Sequence, residues 1–264
     1  MNTKSVVVSA SMLLTTLFTL SGKPSHAQPN RDFYQIRIYQ IKDQTQEQRM
    51  DRYLQEAFVP ALNRAGIAKV GVFKPLANDT ASVRRIYVLI PFASLGQWQQ
   101  LGEKLEKEPA YQASGQDYID ATYDNPPYQR LESILLEAFE KMPHFAVPDL
   151  KGPITERIYE LRSYEGATEK IHQNKVKMFN VGDEVSLFKR LGFNAVFYAE
   201  VLSGCNMPNL MYMTSFENMD AHDQHWKNFS NDPTWKSLSA DPQYQHNVSH
   251  IDIVLMHPTA YSQL

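Results

Sequence analysis

The chain has 264 residues, 43% of them hydrophobic and 21% charged, a balance that fills a packed core and excludes intrinsic disorder. Its net charge of -3 offers phosphate no global attraction, and no basic stripe interleaves with aromatics, so nucleic acid is not expected among its partners. Cys205 is the only cysteine, which excludes an intramolecular disulfide and leaves stability to the core.

Residues 1–27 read as a secretory signal peptide. Lys4 supplies the positive start, Val6 to Leu20 is apolar apart from Ser and Thr, and Ser25-His26-Ala27 puts small residues where a signal peptidase inspects them. The competing reading, a mitochondrial presequence, would be rich in arginine, yet the first arginine is Arg31. The expectation is an exported protein, periplasmic or extracellular, cleaved before Gln28. No later apolar run is long enough to span a bilayer, which takes roughly 20 residues. Leu202-Ser203-Gly204-Cys205 resembles a lipid-attachment box, but it lies deep in the chain and cannot serve as one.

Beyond that point the sequence is written twice. Tyr34-Gln35-Ile36-Arg37-Ile38-Tyr39 returns as Tyr159-Glu160-Leu161-Arg162-Ser163-Tyr164. Arg64-Ala65-Gly66 returns as Arg190-Leu191-Gly192, Ile86 to Phe92 as Leu210 to Phe216, and Glu108-Pro109 as Asp232-Pro233, each about 125 residues on. Each copy opens on a strand, Phe33 to Ile41 in the first, rich in β-branched and aromatic residues. A helix follows with Met50, Tyr53, Leu54, Ala57, Phe58 and Ala61 at helical spacing, and Gly66 and Gly192 sit where a helix C-cap wants left-handed backbone. Second strands are expected at Val70 to Phe73 and Ala195 to Val201, and third strands at Ile86 to Ile90 and Leu210 to Thr214. Second helices should start near Ser94 and Asn218, and last strands cover Ser133 to Phe139 and Ile251 to Met256.

The order β-α-β-β-α-β predicts an α+β protein made of two tandem ferredoxin-like modules. The boundaries expected are 32–140 for the first module, a proline-bearing linker at 141–153, and 154–264 for the second. One sheet face of each module would be apolar and bare, so the two should pack sheet on sheet as an intramolecular dimeric α/β barrel. A monomer is then a pseudo-dimer already, with further homo-oligomers left open.

The second copy resembles a NIPSNAP domain of the dimeric α/β-barrel superfamily. The resemblance rests on Tyr159 to Tyr164, Met178-Phe179, Val196-Phe197-Tyr198, Pro208 to Met213, Trp226 to Phe229, Asp232 to Lys236 and the tail His257 to Tyr261. It covers the mature chain, more loosely in the first copy. It implies little about chemistry, because the family's activity is not established. The wider superfamily contains cofactor-free monooxygenases, haem-degrading enzymes and chlorite-dismutase-like haem proteins, so fold analogy selects none of them.

No motif assigns a cofactor or a metal. His222 and His225 are three apart on a helix, and His246 and His250 four apart before the last strand, spacings that could present two nitrogens to one metal. Neither pair carries an adjacent carboxylate in a recognised pattern. In the strand-one repeat Gln35, Arg37 and Tyr39 share one face, as do Glu160, Arg162 and Tyr164. Placed in the space between the sheets, that face would give each module an interior arginine and tyrosine, and a buried guanidinium needs a carboxylate from the protein or a ligand. Candidate ligand-binding residues are therefore Arg37, Tyr39, Glu160, Arg162, Tyr164, Glu184, Glu200 and His225. Glu184 and Glu200 could form an acid–base pair confined to the second copy, since Phe58 and Lys74 stand at their approximate places in the first. Two functions remain open: a small-molecule binding or interaction module, or a cofactor-independent or haem-linked oxidoreductase acting on a small hydrophobic or aromatic compound.

Overall fold

A computed structural model describes residues 30–264; the expected signal peptide lies outside them. The first module comprises β1 (Phe33–Ile41), α1 (Gln44–Arg52), α2 (Val59–Arg64), β2 (Gly71–Pro75), β3 (Arg84–Phe92), α3 (Leu95–Glu106), α4 (Pro109–Ser114), α5 (Gln116–Ile119) and β4 (Arg130–Ala138). The second comprises β5 (Ile158–Glu165), α6 (Glu169–Asn180), α7 (Glu184–Arg190), β6 (Asn194–Ser203), β7 (Asn209–Phe216), α8 (Met219–Asn231), α9 (Pro233–Ala240) and β8 (His250–Pro258). A π-helical stretch, Tyr53–Phe58, joins α1 to α2 without a break and keeps its apolar residues buried.

The local signals act as the sequence leads one to expect. Asp43 and Thr168 cap the first helices of the two modules, and Ser94 and Asn218 cap α3 and α8, each side chain accepting a backbone N–H of the first turn. Gly66 and Gly192 have φ of 84° and 80°, the left-handed backbone that lets the chain leave α2 and α7 for the next strand. Of the three asparagines in N-glycosylation sequons, Asn78 and Asn247 are buried and Asn228 is exposed.

The eight strands close into one barrel in the order β1-β3-β2-β8-β5-β7-β6-β4. Each module supplies four neighbouring strands, and two antiparallel seams join them, three residue pairs between β2 and β8 and four between β4 and β6. Tyr34, Ile36, Leu89, Leu136, Tyr159, Leu161, Met213 and Met256 point inward and form one core shared by both modules. The opposite face of each sheet is covered by that module's own helices, giving two outer cores. At the end where β1 and β5 begin, Phe145 and Leu150 of the connecting segment and Leu264 of the C-terminal tail pack on the interior core and fill it.

The tail also ties the halves together. After Pro258 it runs along β2, with Thr259 N–H donating to the Val72 carbonyl, Gln263 N–H to the Val70 carbonyl, and Tyr261 Oη–H to Asp51 at 2.6 Å. No described helix is long and apolar enough to cross a membrane.

Candidate functional site

The strand-one arginines do not point into the barrel. Tyr34, Ile36 and Ile38, with Tyr159 and Leu161, take the interior, so Arg37, Tyr39, Glu160, Arg162 and Tyr164 face the helices. Both faces of these strands are buried, and strict alternation tells which residues share a face without telling which face is which.

In the second module this outward face carries a polar centre. Glu160 is fully buried and accepts from Arg162 Nε and from Trp226 Nε1, both at 2.6 Å. His222 Nε2 lies 3.3 Å from the same carboxylate, close enough for attraction without an aligned hydrogen bond. Burial alone would raise the Glu160 carboxyl; His222, Arg162 and Trp226 outweigh it and hold the group below its ordinary value. Burial likewise works against a charged His222, and Glu160 with Asp223 raises that imidazole above the usual histidine range.

Arg162 is spread over several partners. Its guanidinium stacks on the Trp226 ring at 3.6 Å, and its Nη1 donates to Tyr164 Oη at 3.3 Å, which in turn meets Tyr212 Oη at 2.9 Å. Nη2 has no protein partner among the described residues. A second ion pair lies deeper, where Lys175 Nζ donates to Glu184 Oε2 at 2.9 Å with both side chains buried. Lys175 sits over the rings of Phe179 and Tyr164 at 4.7 and 5.5 Å.

Beside this centre lies a cavity of about 390 Å³ between β5 and the helices. Arg162, Tyr164, Lys175 and Glu184 make its polar side, Phe188, Trp226, Phe229 and Trp235 its aromatic side, and the loop from Tyr244 to Val248 its mouth. Few polar groups among aromatic walls is the composition of a small-molecule site. The donor set does not suit a haem: the one imidazole lining the cavity, His246, sits in the mouth loop, and ion pairs occupy the polar side.

The first module has no such centre. Gln35 replaces Glu160, and its side chain donates to Ser133 Oγ at 2.8 Å while accepting from Arg37 Nε at 3.2 Å. Counted from the N-caps Asp43 and Thr168, Met50 stands where Lys175 does; counted back from Arg64 and Arg190, Phe58 stands where Glu184 does. Arg37 lies over Phe58 at 4.9 Å. Tyrosines crowd the neighbourhood: Tyr53 stacks on Tyr118 at 3.6 Å, and Tyr39 and Tyr118 both meet Tyr128.

The structure thus brings Arg162, Tyr164 and Glu184 to one cavity, with Glu160 buried behind Arg162 and Trp226, and separates the other candidates from it. Glu200 lies on β6, paired with His172 at 3.2 Å and hydrogen-bonded by Gln173, so it forms no acid–base pair with Glu184. His225 is held by the Ala221 carbonyl at 2.6 Å and packs against Phe193 and Phe216, so its nitrogens and those of His222 serve different partners. His246 and His250 also part, His246 at the cavity mouth and His250 on β8. Lys175 and Trp235 were missed by sequence reasoning. The available signal was a lysine on the buried face of α6, between His172 and Met178.

The NIPSNAP family model matches residues 159–263, nearly the whole second module. No curated protein matches the chain. Among solved structures it is similar to a candidate monooxygenase from Lactobacillus acidophilus at 12% identity and a TM-score of 0.55, over 86% of this chain and 94% of the other. A candidate monooxygenase from Fusobacterium nucleatum gives 6% identity and 0.57 over 88% and 94%, and an anthrone oxidase-like protein 10% and 0.51 over 87% and 92%. At such identities the likeness is one of fold.

Proposed function

The chain is a NIPSNAP-family protein, and we propose that its second module binds a small planar aromatic compound carrying an acidic group. The observation that carries this reading is the cavity of about 390 Å³, aromatic on one side and lined on the other by Arg162 and Lys175, with Arg162 Nη2 left without a protein partner among the described residues. Aromatic walls suit a flat ring, and the guanidinium suits a carboxylate or phenolate.

The test is quenching of Trp226 and Trp235 fluorescence by 1-naphthoate, with 1-naphthylmethylamine as the cationic control. Saturable quenching by the acid and none by the amine is expected. Arg162→Lys should weaken binding roughly tenfold to a hundredfold, the cost of a lost charge-assisted bond of about 1.5–3 kcal/mol. Equal quenching by acid and amine, or none by either, overturns the proposal.

A second reading adds chemistry at the same place, because Glu184 is a carboxylate buried at the wall of an aromatic cavity. It could accept the proton of an acidic ring CH₂ group. The resulting carbanion gives its electrons to dioxygen; one oxygen atom becomes the ring carbonyl and the other leaves as water, so that CH₂ plus O₂ gives C=O plus H₂O with no external reductant. The fold neighbours described as monooxygenases and anthrone oxidase-like make this chemistry worth testing. Oxygen uptake with anthrone that Glu184→Gln abolishes would support it, and uptake unchanged by that substitution would sink it.

A further inference from the structure

The barrel is filled at one end and open at the other, and the open end has its own chemistry. Where β1 and β5 finish, a cavity of about 330 Å³ enters the interior, walled by Ile38, Tyr87, Ile134, Leu161, Met211 and Val254. It is separate from the aromatic cavity, which lies on the other face of the sheet, and nothing argued above for that cavity bears on it.

Strand register fixes what stands at this mouth. Tyr159, Leu161 and Ser163 alternate along β5 on the inward face, so Glu165 comes next on that face. On β8, Met256, Val254 and Asp252 point inward, and His250 extends the row. Glu165 and His250 are cross-strand partners, and Asp252 follows His250 by two residues. Glu165, His250 and Asp252 each place a ligand atom within 4.8 Å of the other two. His250 Nε2 already lies 3.1 Å from Asp252 Oδ1.

Ion pairs are few at this point. Among the described residues Glu165 has no salt-bridge partner, and Asp252 has only His250. Arg85, which lines the same cavity, forms no salt bridge, and Glu132 adds a further carboxylate whose Oε1 is held by Gln40 at 2.7 Å. Two adjacent carboxylates and an imidazole on two paired strands form a donor set that a cation would draw together.

We propose that Glu165, His250 and Asp252 bind a divalent first-row transition-metal ion at the open mouth of the barrel. One nitrogen and two carboxylate oxygens are donors that Zn²⁺ accepts at about 2.0–2.2 Å. Three protein ligands leave coordination positions open, toward water and the cavity. Half-exposed side chains on rigid strands need only rotate to close the present spacing. The spacing His246 to His250 does not supply the pair; the second and third ligands come from the neighbouring strand and from two residues along β8.

The test uses the tag-free full chain with Cys205→Ser, which removes the exposed thiol at the same mouth as a competing ligand. Zn²⁺ binding is measured by calorimetry, and Co²⁺ by its visible absorption. One ion per chain is expected. His250→Ala and Asp252→Asn should each weaken binding at least about tenfold, since even outer-shell changes cost about 10–100-fold, while His246→Ala leaves it unchanged. Both ligand positions are exposed or half-exposed, and unchanged thermal melting would confirm folded variants. Absence of uptake, uptake indifferent to both ligand substitutions, or uptake lost in His246→Ala would overturn the assignment.

Discussion

Glu160 is fully buried, accepts two hydrogen bonds and faces the His222 imidazole, and that makes it the residue on which the second module's polar centre depends. Glu160→Ala would take the carboxylate from a largely buried guanidinium and the acceptor from an indole N–H, at a cost of about 3 kcal/mol in urea unfolding. Glu160→Gln should cost less, because Gln35 does the equivalent work beside Arg37. Two titrations define the pH dependence. Glu160 is lowered in the fold, so its contribution is present above the unfolded value of about 4.3 and fades as pH falls through the folded one; His222 is raised, so its contribution is complete below about 6.5 and fades as pH rises through its folded value. Stability from this pair is therefore greatest between those limits, and unfolding free energy should be higher at pH 5.5 than at pH 8.5. His222→Gln should flatten the alkaline side; a slope unchanged by it would refute the assignment. The repeat Tyr-Glu-Leu-Arg-Ser-Tyr made Glu160, Arg162 and Tyr164 visible as a group in the sequence. Their surroundings were not visible, because Lys175 and Trp235 reach the cavity beside Arg162 and Tyr164 from two separate helices, α6 and α9.

Among the elements, β2 and β8 form the seam most in need of help. Pro75 and Pro258 stand within its three residue pairs and bring no N–H donors. The tail after Pro258 reinforces it through five hydrogen bonds, from Thr259, Gln263 and Tyr261 and to Ser262 and Gln263, and by burying Leu264. Deleting residues 259–264 should cost about 4 kcal/mol or more, from roughly 2 for Leu264 and about 1 for each of several hydrogen bonds. Denaturant unfolding of the truncated chain measures it, and a loss under 1 kcal/mol would mean the tail is ornamental. The strands, caps and C-terminal glycines were legible because each rests on a few adjacent residues. The seams were not, since pairing β2 with β8 joins residues far apart in sequence and leaves no local periodicity.

For the molecule as a whole, the interior core belongs to neither module. Leu89 and Leu136 on one side meet Leu161 and Met213 on the other, and separating the halves would bare all of them to water. At roughly 25 cal/mol per Å², an exposed face on the order of 400 Å² forgoes about 10 kcal/mol, comparable with a domain's entire stability. Fragments 32–140 and 153–264, expressed apart, should self-associate or fail to melt cooperatively, as sedimentation and calorimetry would show. A monomeric fragment melting like the intact chain would contradict the shared core. The duplication predicted this closure correctly, and the two halves differ where the second has its polar centre, since Gln35, Met50 and Phe58 stand in the first module where Glu160, Lys175 and Glu184 stand in the second. A barrel assembled from two identical chains inherits every substitution twice, so a change that removes a charge from one half removes it from both. In the fused chain each half mutates alone, and selection can harden one half into scaffold while the other keeps its chemistry.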